Sequence, residues 1–249
     1  MQLLTRFTVI ALAGLAAPVA AFADTIFQDS TFATVDYSTA FAFSNDSSNT
    51  FSVGQCQSCG NPSGQALTLT INEPDGGAAG PASEFIGLIN SNFTYDPATQ
   101  GAIGSISASV DKDIFDNVAG TLGNIFRPLI EQGGNFYVAP ISGPSLVAPG
   151  TTGYNTIAAT GLTAADFLEV DTATGVTGTA NPDFAGGPME FGIAQLLGAT
   201  TVSGTVVNYE FDNLNIDLAP NSVPEPGSLP MLLSGLAAIG GLGWTRRKR

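Results

Sequence analysis

The sequence contains no histidine among its 249 residues. A serine–histidine–aspartate triad and a cysteine–histidine dyad both need an imidazole as the general base, so this chain can build neither of them. Metal sites with histidine ligands are excluded for the same reason. Composition alone therefore removes several common classes of hydrolase and metalloenzyme.

Positive charge is also scarce. Seven Lys and Arg residues stand against 21 Asp and Glu residues, and the formal net charge is -14. Arg6 and the last four residues hold five of these cations, so only Lys112 and Arg127 lie in the body. Nucleic acids and anionic membrane surfaces attract Lys/Arg patches, which argues against both as partners. Divalent cations, cationic partners and neutral glycans remain compatible, and the acidity also favours solubility.

The N-terminus has the pattern of a secretory signal peptide over residues 1–23. Arg6 provides the positive region, an apolar run follows, and Ala21-Phe22-Ala23 is a small-x-small cleavage site. We predict export through the Sec pathway and cleavage before Asp24. An uncleaved anchor is the alternative.

The C-terminus has three consecutive parts. Residues 221–228 form a proline-containing polar hinge, and residues 229–244 form an apolar segment that we expect to cross the inner membrane as a single helix. Residues 245–249 form a basic tail that would act as a stop-transfer signal. The hinge holds Val223, Pro224, Glu225 and Pro226, and the tail holds Arg246, Arg247, Lys248 and Arg249.

This order of Pro-Glu-Pro, apolar span and terminal basic cluster closely resembles the PEP-CTERM sorting signal. The resemblance implies a Gram-negative bacterium that makes exopolysaccharide. It also implies processing at or near Val223, Pro224, Glu225 and Pro226 by an exosortase, a membrane peptidase. A plain tail anchor is the alternative, but it leaves the Pro-Glu-Pro unexplained.

Between the two ends lies a body of about 200 residues, a size that suits one domain, residues 24–220. Apolar residues alternate with polar ones, which is typical of half-buried strands. The clearest runs are Leu67, Leu69, Ile71 and Ile106, Ala108, Val110. We predict an all-β fold, a two-sheet antiparallel β-sandwich of jelly-roll type.

Two local features are more specific. Thr163 can cap a short helical turn, with Asp166 completing a capping-box-like pair. In the last strand, alternation changes phase at Asp212-Asn213, between the buried sets Val207, Tyr209, Phe211 and Leu214, Ile216, Leu218. A β-bulge or break at this point would keep both sets on the buried face.

Several stretches resemble the laminin-G/concanavalin-like jelly roll that often accompanies this sorting signal. They are residues 104–107, 126–137, 160–167 and 211–214. The resemblance implies cell-surface and glycan-binding roles, with enzymes in some branches.

Cys56 and Cys59 are the only cysteines. In an oxidising compartment we predict a local disulfide, because two thiols alone cannot complete a zinc site. Free thiols and a redox pair are the alternatives.

Glu169-Val170-Asp171 is similar to the start of the Glu-x-Asp-x-x-Glu strand of jelly-roll glucanases, which use two carboxylates. The position of the second glutamate holds Thr174, so we interpret the stretch as strand or turn and predict no catalytic residue.

Asp111, Asp113 and Asp116 supply closely spaced oxygen ligands and are the candidate Ca²⁺ site, with a solvated turn as the alternative. No other cofactor is predicted. The only Trp lies in the C-terminal span, so Tyr95 and Tyr154, near turn residues, are the candidate exposed rings for a sugar.

The sequence thus predicts a non-enzymatic surface or matrix protein associated with exopolysaccharide or biofilm, with glycan binding as its activity. A glycan hydrolase and a passive structural protein are the alternatives.

Overall fold

The computed structural model describes residues 23–74, 82–115, 124–139, 153–200 and 204–221. The signal peptide up to Phe22, the sorting segment from Ser222 onward and Asp116 lie outside these ranges, as do the predicted processing and stop-transfer residues. Within the described ranges, no helix is long and apolar enough to cross a membrane.

Strands form where period-two alternation occurs, because alternate side chains can then pack on one side of a sheet. The described strands are β1 (Thr25–Asp29), β2 (Tyr37–Ser44), β3 (Thr50–Cys56), β4 (Ala66–Glu73), β5 (Ala82–Tyr95), β6 (Ile103–Phe115), β7 (Asn124–Gln132), β8 (Asn135–Val138), β9 (Asn155–Leu162), β10 (Leu168–Asp171), β11 (Val176–Thr177), β12 (Met189–Thr200) and β13 (Thr205–Pro220). One helical turn, α1 (Pro97–Gln100), and two 3-10 turns, Thr34–Asp36 and Ala164–Asp166, join them.

These strands form two antiparallel sheets, which confirms the predicted all-β sandwich. The six-stranded sheet has the order β3-β4-β13-β6-β9, with β1 pairing the second half of β13. The seven-stranded sheet has the order β11-β10-β8-β7-β12-β5-β2. The main core lies between the sheets, and the predicted runs Leu67, Leu69, Ile71 and Ile106, Ala108, Val110 are buried in it.

The phase change in β13 is a bulge, as predicted. Pairing with β6 is interrupted between Asp212 and Asn215, and Asn213 has a positive φ of 51°. Residues on both sides of it stay buried, namely Val207, Tyr209, Phe211, Leu214, Ile216 and Leu218. One extra residue therefore restores the buried face.

The predicted turn after Thr163 is also present. It is a 3-10 turn, and Thr163 and Asp166 form a capping box in which the Thr163 backbone N–H donates to the Asp166 carboxylate at 2.8 Å.

A second apolar cluster covers the other face of the seven-stranded sheet and includes Phe41, Phe85 and Val138. Phe43 of β2 packs against Gly175, in the turn between β10 and β11, and leaves no room for a Cβ there. Gly175 also has a positive φ of 67°, which favours glycine. The two edges of this sheet therefore approach each other over the second cluster.

Candidate functional site

Four carboxylates lie together on the outer face of the six-stranded sheet, and we call them the acidic cluster. Asp111 and Asp113 of β6 pair directly with Asp212 and Glu210 of β13. Lys112, between the two β6 residues, points to the opposite face because successive residues alternate. Like charges directly opposite each other destabilise a sheet, so the surroundings must supply donors.

Those donors come from residues that are distant in sequence from the carboxylates they contact, namely Asn61 in a loop, Thr156 in β9 and Asn213 in the β13 bulge. The Asn61 backbone N–H donates to Asp212 Oδ2 at 2.5 Å, and Asn213 Nδ2 donates to Asp111 Oδ2 at 2.9 Å. The Thr156 hydroxyl donates to Asp111 Oδ1. These bonds compensate part of the cost of holding carboxylates close together.

The loop between β3 and β4, residues 57–65, which we call the disulfide loop, covers one side of the acidic cluster. Cys56 and Cys59 form the predicted disulfide, with their Cα atoms 5.6 Å apart. A Cβ on Gly60 would lie 2.8 Å from Asp212 Oδ2 and 2.7 Å from the Gln65 carbonyl oxygen, so only glycine lets this loop close over the carboxylate.

Tyr154 links the loop to the acidic cluster. Its hydroxyl lies 2.7 Å from the Cys59 carbonyl oxygen and 3.3 Å from Glu210 Oε2. Burial, and then the nearby negative charge of Glu210, raise the pKa of Tyr154. Tyr154 is half-buried, so its role as a sugar-stacking ring stays a prediction.

The prediction that Tyr95 is exposed is wrong. Its side chain is 3% exposed, and its hydroxyl lies 3.0 and 2.8 Å from the carbonyl oxygens of Gln100 and Gly101. The physical reason is that the ring lies on the core side of β5, while α1 folds around its hydroxyl. Tyr95 therefore has no free ring face to offer a sugar.

The Ca²⁺ prediction falls on the acidic cluster. The structure places Asp111 and Asp113 on one face and adds Glu210 and Asp212 from a strand about 100 residues later in the chain. Asp116 lies outside the described residues. Ca²⁺ binding here stays a prediction.

An open cleft of about 680 Å³ lies at the edge of the seven-stranded sheet, where β8, β10 and β11 meet. Phe136, half-buried, and Val176, 62% exposed, give it an apolar side. Glu169, Asp171 and several threonines give it polar groups, and none of its described lining residues is Lys or Arg.

The glucanase-like stretch lines this cleft, but as a strand followed by a turn. Asp171 Oδ1 accepts a hydrogen bond from the Ala173 backbone N–H at 2.9 Å. Hydrogen bonds from Thr174 and Ala173 hold the pKa of Asp171 below its ordinary value. Asp171 therefore caps the turn as a carboxylate, which does not suit a proton donor.

Lys112, for which no role was predicted, is buried in the core. The side chain is 1% exposed, its Nζ donates to Gln195 Oε1 at 2.7 Å, and it lies 4.8 Å from the centre of the Tyr209 ring. Burial holds the pKa of Lys112 well below its ordinary value. A signal was present, because position 112 continues the buried phase of Ile106, Ala108 and Val110.

Arg127 is the other cation of the body. It is half-buried, and its guanidinium carbon lies 5.8 Å from the centre of the Phe85 ring. With Lys112 inside, almost all the charged side chains on the surface of the described residues are acidic.

Comparison with solved structures finds weak similarity to carbohydrate-binding modules and to a xyloglucanase. The CBM22-1 xylan-binding domain of Xyn10C from Paenibacillus barcinonensis is 11% identical, with 82% of this chain and 100% of that chain covered and a TM-score of 0.38. The module TmCBM27, described for specific mannan recognition, is 12% identical, with 79% and 98% covered and a TM-score of 0.39. A family 12 xyloglucanase from Bacillus licheniformis is 11% identical, with 79% and 100% covered and a TM-score of 0.30.

No curated protein matches the chain. At such identities and TM-scores, the structural similarities assign no ligand. The C-terminus is different, because residues 222–248 match the family model described as the PEP-CTERM protein-sorting motif. This match confirms the resemblance seen in the sequence and implies export, membrane-anchored processing by an exosortase and a final position at the surface. The chain is thus a β-sandwich that carries a PEP-CTERM sorting motif.

Proposed function

We propose that the mature body, residues 24–220, is a non-enzymatic surface protein that binds a neutral glycan in the cleft between β8, β10 and β11. The observation that carries this proposal is the chemistry of the cleft. An apolar side with a few polar groups is the usual make-up of a site for a small ligand. Phe136 offers a ring against the apolar face of a sugar, and Glu169 and the threonines offer partners for hydroxyl groups.

The charge of the cleft defines the class of glycan. Glu169 and Asp171 are acidic, and no Lys or Arg is among the described lining residues. Uronic acids and sulfated sugars would meet like charge, whereas the hydroxyl groups of a neutral sugar can donate to carboxylates. We therefore propose a neutral polymer, in a matrix of exopolysaccharide or biofilm made by a Gram-negative host.

The test uses the full chain, purified in detergent, with immobilised neutral polysaccharides and a uronic-acid polymer, in Ca²⁺ and in EDTA. We expect retention on at least one neutral polymer and none on the uronic acid. Phe136→Ala should weaken binding about tenfold, since one aromatic contact is worth about 1.4 kcal/mol.

Val35→Ala is the matched control, because Val35 is exposed and is not among the cleft residues. Binding that disappears in EDTA would move the site to Asp111 and Asp113. Failure to bind any polymer in either condition would overturn the proposal and leave a passive structural protein.

A glycan hydrolase is a second candidate, because Glu169 and Asp171 both line the cleft. Its weakness is the missing second glutamate at Thr174 and the capping role of Asp171. Release of reducing sugar that is lost in Glu169→Gln, with binding retained, would support the hydrolase.

A further inference from the structure

The disulfide lies beside a buried carboxylate that sequence analysis did not connect with it. Cys56 Sγ, Cys59 Sγ and a carboxylate oxygen of Glu210 all lie within 4.8 Å of one another. The cysteines are half-buried, and Glu210 is 7% exposed. A pair of cysteines separated by two residues thus has a third potential metal ligand, contributed by β13.

Glu210 is held towards the cysteines. The Tyr154 hydroxyl lies between Glu210 Oε2 and the Cys59 carbonyl oxygen, so one side chain positions both the carboxylate and the loop. Metal ligands are commonly oriented by such outer hydrogen bonds.

The local charge favours a cation. Asp113 pairs directly with Glu210, and Asp212 lies two residues along the same strand. Lys112 points into the core on the other face of the sheet.

We propose that the reduced form of this site binds a thiophilic divalent cation such as Zn²⁺ through Cys56, Cys59 and Glu210, with water as the fourth ligand. Reduction breaks the S–S bond, and the two sulfur atoms must then separate to bind one ion, to at most about 4.6 Å if each lies about 2.3 Å from it. Binding releases the two thiol protons and leaves two thiolates on the metal.

The same sulfur atoms form the disulfide in the oxidised chain, so metal binding and disulfide formation exclude each other. Metal bound to the newly exported, still reduced chain would delay oxidation. This inference does not depend on glycan binding.

The test uses the full chain in detergent without oxygen. A water-soluble phosphine reduces the disulfide to two thiols and takes an oxygen atom from water to become the phosphine oxide. Co²⁺ is then titrated as the probe, followed by Zn²⁺. We expect thiolate-to-cobalt charge-transfer absorption with tetrahedral visible bands at one Co²⁺ per chain, and loss of both signals when Zn²⁺ displaces Co²⁺.

The variant Glu210→Gln tests whether Glu210 is a metal ligand or whether the two thiols bind the metal without it. It should weaken Co²⁺ binding by at least about tenfold, the loss that removal of an outer-shell partner already causes. Glu190→Gln, at a partly exposed glutamate on β12, is the matched control, and the oxidised chain should give no signal.

If a variant is unstable, Tyr154→Phe gives an independent result, because it keeps all three ligands and removes only a positioning group. It should weaken binding less than Glu210→Gln does. Absence of the charge-transfer band, or equal affinity in Glu210→Gln and the wild-type chain, would overturn the proposal.

Discussion

The strands β6 and β13 carry ionisable side chains on both faces of the six-stranded sheet, and the surroundings of these side chains differ between the two faces. On the outer face, the acidic cluster receives hydrogen bonds from Asn61 in the loop before β4, from Thr156 in β9 and from Asn213 in the bulge of β13. On the inner face, Lys112 and Tyr209 lie inside the sandwich, with Gln195 opposite and Glu73 at the end of β4. Neither oxygen of Glu73 accepts a hydrogen bond from the residues that the structure describes.

This difference shows two ways of holding ionisable groups in one sheet. On the outer face, hydrogen-bond donors offset part of the cost of holding the carboxylates together. On the inner face, desolvation is costly and shifts the pKa of each group in the direction that favours its neutral form. The pKa shifts of the inner groups follow this rule, because burial lowers the pKa of Lys112 and raises the pKa values of Glu73 and Tyr209.

The largest effect should come from the inner carboxyl of Glu73. Burial, and then the charge of Glu84, raise the pKa of Glu73 from 4.5 to about 7. A carboxyl group whose pKa is higher in the folded chain than in the unfolded chain stabilises the fold fully when the pH is below its unfolded pKa. This stabilisation is lost as the pH rises through its folded pKa. Wild-type stability should therefore fall between about pH 5 and about pH 8, and Glu73→Gln should make that fall smaller, because Glu73 then no longer contributes to it.

Urea unfolding at about pH 5 and about pH 8 measures the free energy of unfolding at each pH and so tests this prediction. Glu190→Gln, on β12, should keep the wild-type slope. If Glu73→Gln and the wild-type chain showed the same slope, the inner carboxyl would not be held neutral.

The next effect concerns the pair formed by Lys112 and Gln195. Gln195→Leu removes a buried acceptor from Lys112 Nζ and should lower the free energy of unfolding by about 3 kcal/mol. The double variant with Lys112→Met should recover most of this loss, because two apolar side chains need no hydrogen bond. Urea denaturation gives both values, and a double variant no more stable than Gln195→Leu would contradict the idea.

On the outer face, Gly60→Ala should cost about 2 kcal/mol, since its Cβ meets backbone and Asp212 at under 3 Å. Gly64→Ala in the same loop is the matched control, because its nearest neighbour would be 3.5 Å away. Thermal unfolding of the oxidised protein compares the two variants. Equal melting temperatures would show that the loop does not close tightly over the acidic cluster.

Tyr154→Phe should have the smallest effect, a loss of about 1 kcal/mol in unfolding free energy, as for a single hydrogen bond. The same urea assay measures it. An unchanged stability would mean that Tyr154 does not hold the disulfide loop to the acidic cluster.

Much of the fold follows from local patterns. The alternation in β4, β6 and β13, the bulge at Asp212-Asn213 and the capped turn after Thr163 are all readable because they depend on neighbouring residues. The same local logic failed at Tyr95. Its nearby turn residues indicated exposure, but the face on which a ring lies depends on how β5 packs against the rest of the sandwich.

The sites depend on pairing between distant strands. Alternation alone does not tell which strand lies beside β6, so it could not bring Glu210 next to Asp113 or to the disulfide. Nor could it place Phe136, Glu169 and Val176 in one cleft.

The sequence by itself determined the β-sandwich class, the disulfide and the PEP-CTERM motif, because period-two burial, short cysteine spacing and an ordered terminal motif are all local properties. Only the tertiary structure decided which ionisable groups face the core and which meet at a surface. Those outcomes depend on strand order and register, which arise when the two sheets pack around one core.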